Sequence, residues 1–270
     1  MPKDAQLTRD RVTSKTSRIN RLIQRLAKRS APPLPTPASL DYRVLSPDQA
    51  DVEIGEAWHD DLVAGTQDAA YRELLTQMYD GRPRRDLVVA GQAVSMTGLD
   101  KPSLLDVGCG SGYYAIVLDH LVSQPVRYTG LDFSQSMTNL ARRRQPQHHF
   151  VCGDATQLPW ADASFDIVFN GVSLMHIADY AAAIAEASRV ARSWCILHTV
   201  PVMQERPTTM LRKLAYGKPV IEVIFNQRSL IELLGRHDLK VHDAINSVDY
   251  DLKHVVGEPT TTKTFVCRRH

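Results

Sequence analysis

Three glycines at alternate positions, Gly108, Gly110 and Gly112, follow an apolar run in "SLLDVGCGSGYYAIVL" (residues 103–118). Asp106 stands just before them. Asp132 closes a second apolar run in "YTGLDFS", with Phe133 beside it, and Asp154 and Ala155 close a third in "VCGDATQLPW". Glycine permits positive φ and lets a ligand lie against bare backbone. A carboxylate at a strand end accepts hydrogen bonds from paired hydroxyls or faces an ammonium. Two histidines stand near further strand ends: His176 in "NGVSLMHIADY" and His198 in "CILHTVPV". Imidazole is the side chain whose ordinary pKa suits proton removal near neutral pH.

These residues need a frame that brings distant turns together. From residue 103 onward, short apolar runs alternate with helical patterns. The expected strands are 103–107, 126–131, 149–152, 165–170, 194–200, 239–246 and 263–268, and the expected helices 113–122, 135–144, 179–191 and 228–235. Such alternation predicts an α/β fold: a doubly wound, mostly parallel seven-stranded sheet with helices on both faces. Only a loop separates the last two strands, so one of them is expected to run antiparallel at the sheet edge. Ligands of such sheets bind beyond the carboxyl ends of the strands, where the glycines fall.

The chain divides into a basic amphipathic tail and Pro-rich linker (1–46), a helical lid or cap (47–97) and the main domain (98–270). In the tail, Ile19, Leu22, Ile23 and Leu26 recur at helical spacing, and "SAPPLPTP" follows. Residues 1–30 hold nine Lys/Arg and two Asp; the rest holds 23 basic and 28 acidic residues. The tail suits an anionic membrane surface or a partner protein, or is simply solvated. The acid-rich body is a poor fit for nucleic acid. No apolar run approaches the roughly 18 residues of a membrane span. The four cysteines show no CxxC or Cys/His pairing, so we expect reduced thiols, no metal site and a cytoplasmic protein, peripheral at a membrane where the tail docks.

Two ligand classes use a glycine turn of this kind. "GSGYYA" (residues 110–115) fits a dinucleotide fingerprint literally. Asp106, however, would repel a pyrophosphate and suits a cationic amine. Asp132 suits a ribose, and Asp154 with Ala155 an adenine edge. An amino acid with a sulfonium, a ribose and an adenine meets the three aspartates in turn, which describes S-adenosylmethionine.

With those residues in view, the stretch from about 103 to 200 resembles the class I, seven-stranded S-adenosylmethionine-dependent methyltransferases. "LLDVGCGSG" is similar to their glycine motif, "GLDFSQSMTNLA" to the acidic motif after the second strand, and "GDATQLPWADASFDIVF" to the third and fourth motifs. "FNQRSLIELLGRHDLKV" and "TKTFVCRR" resemble the last helix and final hairpin. The resemblance implies a cofactor site at Asp106, Gly108, Gly110, Gly112, Asp132, Phe133, Asp154 and Ala155, closed by Asn170 and Gly171 after the fourth strand. It also implies a helical lid, with Trp58 and Tyr71 as contacts.

Methyl transfer from a sulfonium is an in-line displacement, and an oxygen acceptor gains from a base. His176 is the candidate base, with a cofactor contact or a polar loop residue as the plainer reading. His198 is the second candidate, with a histidine packed in its strand as the alternative. "NGVS" replaces the Asn/Asp-Pro-Pro-aromatic motif of nucleobase amino methylation, and no Pro-Cys pair is present for base C5 methylation. Residues 201–226 exceed an ordinary connection; Arg206, Arg212, Lys213 and Lys218 there, with Tyr216, could hold an anionic acceptor or line a solvated helix. The expected function is O-methylation of a small molecule or glycan. RNA or protein methylation, an NAD(P)-dependent oxidoreductase and an inert scaffold of this fold are the alternatives.

Overall fold

The computed structural model describes residues 41–46 and 57–270. The expected tail helix and Pro-rich spacer, and residues 47–56 of the helical region, lie outside them. The elements in chain order are β1 (Arg43–Val44), α1 (Asp61–Tyr79), α2 (Arg85–Met96), β2 (Ser103–Val107), α3 (Tyr113–Leu121), β3 (Arg127–Asp132), α4 (Gln135–Arg144), β4 (His149–Cys152) and β5 (Phe165–Gly171). They continue with α5 (Tyr180–Val190), β6 (Ala191–Met203), β7 (Thr209–Ala215), β8 (Lys218–Asn226), α6 (Gln227–Arg236), β9 (Leu239–Asn246), α7 (Lys253–Val256) and β10 (Thr261–Arg269). Single 3₁₀ turns lie at Ala57–His59 and Leu174–His176.

All seven expected strands are present, in the order β4-β3-β2-β5-β6-β10-β9. β3, β4, β5 and β6 pair in parallel around β2, whereas β10 pairs antiparallel with both β6 and β9. The antiparallel strand is thus β10, one place in from the edge that β9 occupies. Strand periodicity of two sorts the core. Leu104, Ile167, Phe169 and Ile196 face one layer, with α2 and α3. Leu105, Val168, Cys195 and Leu197 face the other, with α5 and α6.

Helix starts follow from their caps. Asp60, Ser134, Asp179 and Asn226 each accept an amide of the first turn, which would otherwise lack a partner. α3 instead starts at Gly112 in the left-handed region, φ 78.

Residues 201–226 form no helix. They complete β6 and then make the β7–β8 hairpin, turned at Tyr216 (φ 54) and Gly217 (φ 80). Positive φ at both central residues is the tight hairpin turn that matches strand twist. The hairpin's place follows from register. Val168 and Phe169 of β5 pair with Cys195 and Ile196, which pair on their other side with β10. Val202, also paired with β10, meets Phe225 of β8 on the β5 side. β8 therefore carries that edge of the sheet on beyond the end of β5, over the carboxyl ends of the strands. β1, inside the region read as linker, adds to the outer edge of β7. A cluster of Met203, Leu211, Ile224, Leu252 and Val256, with Tyr42 and Tyr250, packs this outer portion.

Candidate active site

The loops after β2, β3, β4 and β5 converge on a cavity of about 340 Å³ at the carboxyl ends of the strands. Its wall includes Gly108, Gly110, Asp132, Phe133, Asp154 and Ala155, together with Gly171 and His176. Trp58 and Tyr71 close it from the N-terminal segment.

Asp132 organises the glycine turn. Its Oδ2 accepts the Gly110 amide at 2.8 Å and its Oδ1 the Ser134 amide at 2.9 Å. The Gly108 and Cys109 amides both reach Leu131 O, at 2.7 and 2.9 Å. The β2 and β3 turns thus form one unit. Gly108 lies at φ 77, and a Cβ there would lie inside the Ser173 side chain. Ser173 Oγ in turn donates to Val107 O at 2.7 Å, latching the β5 loop to the end of β2. Asp154 accepts the Thr156 amide at 2.8 Å, which shapes the β4 turn.

Four expected site residues do not reach the cavity wall. Asp106 is fully buried beneath the glycine turn, where Tyr128 donates to its Oδ2 at 2.5 Å. Burial pushes its pKa up to about 7, against the pull of that hydrogen bond. Its buried Oδ1 makes no hydrogen bond of normal geometry. Gly112 is required by packing: a Cβ there would meet Phe150 at 2.9 Å. Asn170 is buried and accepts the Leu174 amide at 2.7 Å, so it shapes the β5 loop from behind.

His198 is the fourth. It sits at a bulge where β6 slips against β10, fully buried. Its Nδ1 pairs with Thr264 Oγ1 at 2.8 Å and its Nε2 with Thr199 Oγ1 at 3.1 Å. Burial lowers its pKa to about 4. Both nitrogens are occupied and neither lines the cavity. We expect His198→Ala to cost about 2–4 kcal/mol of stability, through lost packing and the lost hydrogen bonds to Thr264 and Thr199, with cofactor affinity unchanged. The unfolded histidine takes a proton near pH 6.5 and the folded one only near 4. Wild-type stability therefore gains a component as pH rises from about 4 to 6.5 that the variant lacks. The penalty should shrink by about 3 kcal/mol as pH falls through that window. Urea melts at both pH values check it, and a constant penalty would refute the burial account.

His176 is placed differently. It lines the cavity, and its Nδ1 lies 2.6 Å from the carbonyl of Ile221 on β8. A carbonyl only accepts, so Nδ1 carries the proton and Nε2 the lone pair. Burial, then the charge of Lys213, lowers its pKa to about 4, keeping the ring neutral at pH 7. The Trp58 ring stands 5.2 Å away.

Sequence reasoning passed over Gln67, Tyr113, Tyr114, Ser173 and Ile177, all on the wall. The pair Tyr113–Tyr114 lay inside the glycine motif, where attention to the glycines hid them. Gln67 on α1 sits over Gly110, 3.5 Å from where its Cβ would be.

Comparison with known proteins agrees with this geometry. Residues 105–197 match the family described as "Methyltransferase domain". The malonyl-[acyl-carrier protein] O-methyltransferase of Serratia marcescens is 40% identical over 89 residues, 33% of this chain and 34% of that protein. The demethylmenaquinone methyltransferase of Staphylococcus haemolyticus is 38% identical over 91 residues, 33% of this chain and 38% of that protein. The chain thus spans about a third of the length of the curated relatives it matches. Among solved structures, the Burkholderia thailandensis 1,6-didemethyltoxoflavin-N1-methyltransferase, with 1,6-didemethyltoxoflavin and S-adenosylhomocysteine bound, shares the fold. Its TM-score is 0.54 at 17% identity, covering 88% of this chain and 99% of that one. Residues 105–197 thus match a methyltransferase domain, and the sheet that carries them has the Rossmann-like fold of the solved methyltransferase. Among the described residues, no helix is long and apolar enough to cross a membrane.

Proposed function

We propose that this protein binds S-adenosylmethionine in the cavity and transfers its methyl group to a hydroxyl of a small molecule, with His176 as the base. The observation that carries the reading is the convergence of the Gly108–Gly110 turn, Asp132, Asp154 and His176 on one wall. The residues fit the cofactor. A bare turn at Gly108 and Gly110 admits the methionyl backbone. Asp106 lies buried beneath that turn, where the Tyr128 hydroxyl holds it. Asp132, on the wall at the end of β3, faces the ribose hydroxyls, and Asp154, Ala155 and Phe133 border the adenine. When bound, the cofactor supplies an electrophilic methyl on a sulfonium. The chain's part is to align the acceptor, exclude water and receive the hydroxyl proton at His176 Nε2. The named relatives act on small molecules or on a carrier-protein-linked acid, which supports a small-molecule acceptor.

The dinucleotide alternative makes the opposite demand on the same turn, so titration separates the two. S-adenosylhomocysteine should bind with one-to-one stoichiometry in calorimetry, and NADH should show no heat of binding. Binding of NADH alone would overturn the proposal.

A further inference from the structure

Resting on the methyltransferase reading above, we propose that the acceptor is a flat, uncharged aromatic ring bearing a hydroxyl, held against Trp58. Past His176, the cavity wall is formed by Trp58, Tyr71, Tyr114 and Ile177. The Trp58 ring stands 5.2 Å from the His176 ring, tilted by 51°, and edge-on to Tyr216 at 6.3 Å. Tyr71 stacks on Tyr113 at 4.4 Å, giving the same wall a second aromatic plate. A planar π-system placed among these rings gains stacked and edge contacts that a saturated ring of equal area does not, worth roughly two- to tenfold in affinity per ring.

Two distant segments hold Trp58 in place. Asp60, two residues on, pairs with Lys218 of the hairpin at 3.1 Å. Gln67 reaches the Tyr71 hydroxyl at 3.4 Å and also hydrogen-bonds Tyr216. Tyr216 occupies φ 54, a conformation that a bulky residue adopts only at a cost. The strained turn is what brings a tyrosine ring to Trp58.

Charge narrows the acceptor further. The basic residues of 201–226, candidates for an anionic acceptor, are turned elsewhere. Lys213 pairs with buried Glu222 at 2.5 Å, Lys218 with Asp60, and Arg212 faces Asp41 at 4.0 Å. The Arg206 guanidinium packs against Gly257. Arg84, near the tyrosines, is held by both oxygens of Asp86 at 2.7 and 2.5 Å. Among the described residues, the wall carries no Lys or Arg, and its ionisable acids are Asp132, Asp154 and Asp179. A carboxylate or phosphate on the acceptor would lose its hydration and find no Lys or Arg on the wall to pair with, since Lys213, whose charge reaches His176, is held by Glu222. A saccharide would find few polar partners on this side beyond Gln67, Ser173 and His176.

The test uses the full chain saturated with S-adenosylhomocysteine, whose own affinity is measured first. Three probes of similar size are compared by equilibrium dialysis: 2-naphthol, its saturated analogue 2-decalol, and the anion 3-hydroxy-2-naphthoate. The expected result is at least about tenfold tighter binding of 2-naphthol than of either other probe. Trp58→Ala should erase that preference and Trp58→Phe retain most of it, each variant being compared at S-adenosylhomocysteine concentrations that saturate it. Equal binding of the anion would overturn the proposal. So would equal binding of 2-decalol, or a preference that survives Trp58→Ala. Failure to bind S-adenosylhomocysteine would instead sink the methyltransferase reading itself.

Discussion

His176→Asn should lower methyl transfer to an oxygen acceptor by about 10²-fold, near the low end of what a general base contributes. Asparagine keeps an N–H for the Ile221 carbonyl, so the tie between the β5 loop and the hairpin survives. What it lacks is the basic lone pair of Nε2. The low end is expected because a base works best with a pKa near the working pH, and burial has brought this one down to about 4. The same depression sets the pH profile. A histidine protonating near 4 is already neutral at pH 5, so turnover attributable to it should be flat from about pH 5 upward. Its acid limb should fall near pH 4 and not near 6.5. Single-turnover rates across pH 4–8, for wild type and variant, measure both. S-adenosylhomocysteine affinity should stay within a few fold. A rate loss under about tenfold would show that positioning suffices without a base. A collapse of cofactor affinity would make His176 a cofactor contact.

Asp132→Ala should weaken S-adenosylhomocysteine binding by 10²-fold or more. Two charge-assisted hydrogen bonds to ribose hydroxyls are worth about 1.5–3 kcal/mol each. The substitution also frees the Gly110 and Ser134 amides, so the glycine turn and the start of α4 lose their common anchor. Asp132→Asn tests the two roles apart. An amide keeps one oxygen for an N–H but sets an NH₂ against the other, so its affinity should lie between wild type and alanine. Calorimetry with each variant, after a thermal melt to confirm folding, gives the answer. Wild-type affinity in a folded Asp132→Ala would remove the carboxylate from the site.

The frame of this site was legible because its signals are local. Short apolar runs marked all seven strands of the domain, and three closely spaced glycines marked the turn after the first of them. Asp132 and Asp154 could be placed from sequence alone, because the end of a parallel strand is where this class of sheet presents its side chains. The hairpin at 209–226 carried a readable signal as well. "PVIEVIF" is a strand-like run and "YG" a tight-turn pair. The charge of Arg206, Arg212, Lys213 and Lys218 drew the reading toward a helix.

What sequence could not supply was depth and partnership. In sequence, Asp106 and His198 fall near strand ends as Asp132 and His176 do; in the fold, β6 runs on to Met203 past His198, and Asp106 and His198 are both buried away from the cavity. Their surroundings come from far along the chain: Tyr128 covers Asp106, and Thr264, 66 residues on, holds His198. His176 owes its tautomer to Ile221 and its lowered pKa to the hairpin that buries it beside Lys213. A strand pattern states which residues share an end of a sheet. Which of them meets solvent, a partner or a ligand depends on the register of strands that pair across the fold, and non-local pairing leaves no periodic trace in the residues themselves.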